Sequence, residues 1–125
     1  MRLLFNTTSK KGKGRGKLLG FPTVNLVIPE RLSTSIQDGI YAAYAKVKGE
    51  KYKAALYYGT TPTFEDADHT LELYLIDAEN PLIFENEAVE FEVVKFIRGV
   101  QKFDSPELLV RQMRKDVMEI KIALE

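Results

Sequence analysis

The sequence predicts a mainly β protein, a small closed barrel of antiparallel strands with one C-terminal α-helix packed on it. Three observations predict it. Short segments rich in Val, Tyr, Phe and Thr alternate apolar and polar residues with period two. Eight glycines and five prolines punctuate the chain. From Ser105 onward the apolar residues instead recur at spacings of three and four. Closing the sheet into a barrel suits so β-rich a chain, because it leaves no strand edge for another chain to pair with.

The expected strands are Leu3–Thr8, Thr23–Val27, Gly39–Val47, Lys51–Tyr58, Thr70–Asp77 and Ala88–Ile97. The segments IYAAYAKV and KYKAALYY, joined at Lys48-Gly49-Glu50, read as a hairpin with a short turn. In LELYLID, Leu71, Leu73 and Leu75 share one face, with Glu72, Tyr74 and Ile76 on the other. In VEFEVV, Val89, Phe91 and Val93 oppose Glu90 and Glu92. The tail is helical, with a stripe through Leu109, Met113, Val117 (or the adjacent Asp116), Ile120 and Leu124. Ser105 suits the N-cap, Pro106 the first turn and Glu107 the positive end of the helix dipole.

A chain of 125 residues without repeats or low-complexity linkers is expected to form one domain over 1–125. The absence of cysteine excludes disulfides and thiolate metal sites, and a single histidine, His69, excludes a zinc centre built from several imidazoles. No apolar run is long enough to cross a bilayer, and MRLLFNTTSKK lacks the apolar centre of a signal peptide. The expected setting is the cytoplasm, away from membranes. Eighteen basic residues balance eighteen acidic ones, which argues against a general nucleic-acid binder. The basic charge is nevertheless local. Lys10, Lys11, Lys13, Arg15 and Lys17 crowd a glycine-rich stretch, an arrangement suited to a small anionic ligand.

Within that stretch, Gly12, Gly14 and Gly16 allow a backbone to approach a phosphate closely, with successive N–H groups forming an anion nest. It is not a Walker A loop, since GxxxxGK[ST] is absent, and a basic surface loop is the plain alternative. Thr23 and Asn25, two apart on a strand, share a face and offer hard oxygens of the kind magnesium accepts beside nucleotide phosphates. The alternative is a turn in which both satisfy nearby backbone groups. Glu72 is a carboxylate in an otherwise apolar strand, either a general base or a solvent-facing residue. GTTPTF at 59–64, with hydroxyls beside an aromatic, reads as a plain loop after a strand, the alternative being the lining of a ligand pocket. In the connection from Phe96 to Ser105, Arg98 suits a phosphate, while Phe103 suits either a flat ring or the core beneath the helix start.

The order of these segments is more specific than any one of them. GRGKLLGFPTVNL, DGIYAAYAKV, YYGTTPTF, LELYLID and FIRGVQKFDSPELLVRQMRKD together resemble the riboflavin kinase (flavokinase) family, also found as the C-terminal module of bifunctional bacterial FAD synthetases. The resemblance runs from about Gly12 to Asp116. It implies a six-stranded antiparallel Greek-key barrel with a C-terminal helix, and transfer of the γ-phosphate of ATP to the 5′-hydroxyl of riboflavin, giving FMN and ADP. By matching position, Thr23 and Asn25 would hold Mg²⁺ and the nucleotide phosphates. Gly14, Arg15, Gly16, Lys17 and Gly20 would belong to the flap over those phosphates. Glu72 would be the base, and Arg98, Lys102, Phe103 and Ser105 would lie against the flavin. The expected partners are small molecules, and the expected state is a monomer.

Lys11, Lys13, Tyr57 and Val100 stand where the family pattern favours other residues, Tyr57 in place of an Asn. They motivate one alternative, a flavin- or nucleotide-binding module that has lost catalysis. A second alternative is a barrel that binds single-stranded nucleic acid through Lys10–Lys17 and exposed tyrosines at 41, 44, 57 and 58.

Overall fold

The computed structural model describes residues 2–12, 20–21, 23–78 and 85–125, without the side chain of Asp66. Six strands form a closed antiparallel barrel: β1 (Leu3–Lys10), β2 (Val24–Leu26), β3 (Gly39–Val47), β4 (Glu50–Thr61), β5 (Asp66–Leu75) and β6 (Ala88–Arg98). Their order around the barrel is β1-β2-β5-β4-β3-β6, and β6 closes on β1. Strands β3, β4 and β5 are successive neighbours and β6 returns beside β3, which is a Greek key. A one-turn helix α1 (Leu32–Ser35) follows β2, a 3₁₀ turn (Pro62–Phe64) joins β4 to β5, and α2 (Pro106–Ala123) ends the fold.

Period-two patterning decides which residues fill the barrel. Leu71, Leu73 and Leu75 of β5 and Val89, Phe91 and Val93 of β6 point inward and are buried. Val24, Leu26, Tyr41, Ala43, Leu56 and Tyr58 complete the same core, so the lumen is packed with side chains. The first half of β3 is buried on both faces, because α2 covers its outer side. There Ile40, Ala42 and Ile76 meet Ile120 and Leu124 in a second, smaller core.

The β3–β4 hairpin turns at Lys48 and Gly49, both at positive φ, as two-residue turns with the twist of the sheet require. Glu50, expected in the turn, pairs with Val47 and opens β4. Strands β4 and β5 extend past the Gly59 break, pairing Gly59 with Thr70 and Thr61 with Asp66 across a bulge. Gly39 opens β3 because a Cβ there would lie 2.5 Å from the Arg98 carbonyl oxygen of β6. The short helix α1 was not foreseen; Leu32, fully buried, anchors it beneath the barrel wall.

Ser105 caps α2 as its residue type predicts, its Oγ accepting the Leu108 N–H at 3.3 Å. In the stripe Asp116 is buried, and Val117, half-buried, packs against the same small core as Ile120 and Leu124. No helix among the described residues is long and apolar enough to cross a membrane.

Candidate active site

The outward faces of five strands converge on one cleft. Asn25 on β2 pairs with Glu72 on β5, Glu72 with Tyr57 on β4, Tyr57 with Ile40 on β3, and Ile40 with Arg98 on β6. This single lateral row, Asn25–Glu72–Tyr57–Ile40–Arg98, lines the cleft along its whole length. The inward neighbours of Asn25, Glu72, Tyr57 and Ile40 fill the barrel, so core packing fixes that part of the row.

One end of the row is polar. Thr23 Oγ1 donates to Glu72 Oε1 at 2.8 Å, and Thr70 Oγ1 donates to Glu72 Oε2 at 3.0 Å. Both oxygens of the carboxylate are thereby oriented, with lone pairs left for a further donor. Asn25 lies beside them, and Gly12, just beyond β1, sits against its amide. A Cβ at position 12 would fall 1.9 Å from Asn25 Nδ2 and 2.4 Å from Oδ1, so only glycine fits there with Asn25 as placed. Gly12 thus stands at the oxygen-bearing end of the row.

The other end is largely apolar. Phe64, Phe103, Leu109 and Met113 wall it, the last two from the first half of α2. The loop after β6 is tied down where Phe103 N–H donates to Thr63 Oγ1 at 3.1 Å. The Arg98 guanidinium lies 5.7 Å from the Phe103 ring centroid and makes a two-pronged contact with Asp116 of α2. Between the ends stands Tyr57, whose hydroxyl donates to the Thr60 carbonyl. Burial, and next the negative charge of Glu72, push the Tyr57 phenol up to about 12, so it stays a neutral donor at any physiological pH.

Of the residues singled out in the sequence, the cleft brings together Thr23, Asn25, Glu72, Arg98 and Phe103. Lys102 is exposed and Ser105 is engaged in capping α2; neither lines the cleft. Gly20 is exposed, at φ 84°. Gly14, Arg15, Gly16 and Lys17 lie outside the described residues. GTTPTF, for which the sequence favours a plain loop over a pocket lining, contributes Thr61, Pro62, Thr63 and Phe64 to the cleft. Thr70, Gln101 and Met113 also line it without having been singled out. For Thr70 a signal existed, since it lies two residues from Glu72 on the same strand face. The tyrosines do not form a stacking platform: Tyr41 and Tyr58 are inside the barrel, and Tyr44 is held under α2 through its hydroxyl and the Leu124 carbonyl at 2.9 Å.

Comparison with known proteins gives the family and the fold. The family described as "Flavokinase: Riboflavin kinase" matches residues 2–124. An RNA-binding riboflavin kinase of Bacillus subtilis is 32% identical over 111 residues, covering 88% of this chain and 46% of that protein. Human riboflavin kinase is 30% identical over 119 residues, covering 92% of this chain and 76% of the human one. The chain therefore spans about half the length of the bacterial relative and about three quarters of the human one. The crystal structure of riboflavin kinase from Trypanosoma brucei superposes with a TM-score of 0.70, at 21% identity over 98% of this chain and 80% of that one, a likeness of fold. With a family match from end to end and a relative matched over most of its own length, the chain belongs to the riboflavin kinase family.

Proposed function

We propose that this chain phosphorylates riboflavin, moving the γ-phosphate of ATP to the 5′-hydroxyl to give FMN and ADP. The observation that carries the reading is Glu72. It stands mid-cleft, held by two hydroxyls, with the oxygen-bearing Thr23–Asn25 end on one side and an aromatic and aliphatic wall on the other. Phosphates belong at the first end, where Gly12 meets Asn25, and the flavin ring at the second. The ribityl chain then runs along the row and brings its terminal hydroxyl to Glu72.

Glu72 accepts that hydroxyl's proton as the oxygen bonds to the γ-phosphorus and the bond to the β–γ bridging oxygen breaks. Because such a transition state is loose, holding the two reactants in line contributes most of the acceleration. Gly14, Arg15, Gly16, Lys17 and Gly20 are proposed to cover the phosphates, and Arg98 and Phe103 to contact the flavin, with Lys102 and Ser105 in the same loop. Closure of both loops excludes water and suppresses hydrolysis of ATP.

The donor set fits magnesium. Thr23 and Asn25 supply neutral hard oxygens, and magnesium characteristically keeps several waters and takes its remaining ligands from nucleotide phosphates. Bound with ATP, the ion neutralises phosphoryl charge. We place the reaction in the cytoplasm. The test is formation of FMN from riboflavin and ATP·Mg²⁺ by the purified chain. Flavin binding without FMN from ATP, CTP or GTP would reduce the chain to a binding module.

A further inference from the structure

Asp116 is a carboxylate in the apolar stripe of α2, with only 4% of its surface exposed. Burying a charge is costly, and even a paired one is a weak source of stability, so its position calls for another account. Its partners supply one. Arg98 Nε reaches Asp116 Oδ1 at 3.0 Å and Oδ2 at 2.9 Å, Arg98 Nη2 reaches Oδ2 at 2.8 Å, and Gln112 Nε2 donates to Oδ1 at 3.0 Å. Arg98 Nη1 donates to the Gly99 carbonyl at 3.1 Å. All three guanidinium nitrogens are thus fixed, in a plane locked beside Phe103 at the apolar end of the cleft.

The same contact joins the last residue of β6 to the helix that carries Leu109 and Met113, both on the cleft wall. Asp116 is one turn beyond Met113 and is itself outside the cleft. It is therefore placed to act through Arg98 rather than on a ligand.

We propose that Asp116 is a positioning residue that, through Arg98, sets the flavin side of the cleft and leaves the nucleotide side untouched. This rests on the reading of the cleft as a riboflavin kinase site. The carboxylate holds the guanidinium in one orientation and pins the first half of α2 at the spacing a planar ring requires. An amide cannot do the same: its NH₂ group would face Arg98 donors, and it lacks the charge that the two-pronged contact uses.

The test is steady-state FMN formation by wild type, Asp116→Asn, Arg98→Lys and the double variant, with thermal unfolding recorded for each. Asp116→Asn is expected to raise the riboflavin KM about tenfold, equivalent to about 1.4 kcal/mol, with the ATP KM changed less than twofold. The double variant is expected to be no worse than Arg98→Lys alone, since a residue acting through another loses its effect when that other is altered. Equal rises in both KM values, an unchanged riboflavin KM, or additive penalties would overturn the inference while leaving the kinase reading standing. Absence of FMN with wild type, using ATP, CTP and GTP, would overturn the reading on which it rests. If Asp116→Asn does not fold, Gln112→Ala is measured in its place, with a smaller rise in riboflavin KM expected and no rise contradicting the proposal.

Discussion

Glu72 shows how much of a site depends on neighbours that a linear reading does not supply. A lone glutamate on an amphipathic strand is usually a solvated one, and its pattern alone left both readings open. Register gives it a place in a cleft, by bringing Asn25 and Tyr57 alongside and Thr23 and Thr70 onto its oxygens. Tyr57 was legible as a departure from the family pattern and as one of four strand tyrosines; that it stands in the cleft follows from its pairing with Glu72. Its raised pKa makes a prediction. The folded state favours the protonated phenol, so Tyr57 contributes stability that is complete below pH 10 and is lost as the pH rises toward about 12. Tyr57→Phe should remove this component, leaving a shallower alkaline loss of stability in urea titrations across that window. An unchanged alkaline slope would mean that Tyr57 is not shielded as the structure has it.

At the scale of elements, α2 was visible in the sequence from its cap, its first-turn proline and its stripe. The stripe left Val117 and Asp116 as alternatives, and periodicity favours neither. The structure uses both: Val117 packs against the small core, and the Asp116 carboxylate turns inward to meet Arg98 on β6. The 3₁₀ turn and its GTTPTF segment were read as a plain loop, because their part in the cleft depends on Phe103, forty positions away in sequence, bonding to Thr63. The junction of β1 and β2 makes the second prediction. Gly12→Ala would drive a methyl group into the Asn25 amide, a flexible side chain that yields more readily than backbone. The expected result is a fold of near-normal stability whose ATP·Mg²⁺ affinity falls roughly tenfold, equivalent to about 1.4 kcal/mol. A magnesium titration indistinguishable from wild type would remove Asn25 from the phosphate end.

At the scale of the molecule, six strands and one helix were legible from period and punctuation, and closure followed from the need to hide strand edges. What periodicity could not supply was which face of each strand is the inner one, and hence where the ligand lies. A small barrel invites the idea of a ligand in its lumen. Here the lumen is filled by Leu26, Leu56, Leu71, Leu73 and Phe91, and the cleft is on the outer wall beneath α2. Leu56, fully buried on the opposite side of β4 from Tyr57, separates the two roles. Leu56→Ala should lower stability by about 2–5 kcal/mol, as deletions of buried leucine do, read from the urea midpoint, while the riboflavin KM stays near wild type. A large rise in that KM in a folded variant would place the flavin inside the barrel.

The central claim is that this cleft transfers a phosphoryl group with Glu72 as the base, and FMN formation by wild type and Glu72→Gln, followed side by side, tests it most directly. Wild type should form FMN only with ATP and Mg²⁺, and chelation should stop it. The variant should bind riboflavin almost as well and turn over roughly a hundredfold more slowly or worse, the usual loss with a general base. Equal turnover in the two proteins would contradict the account.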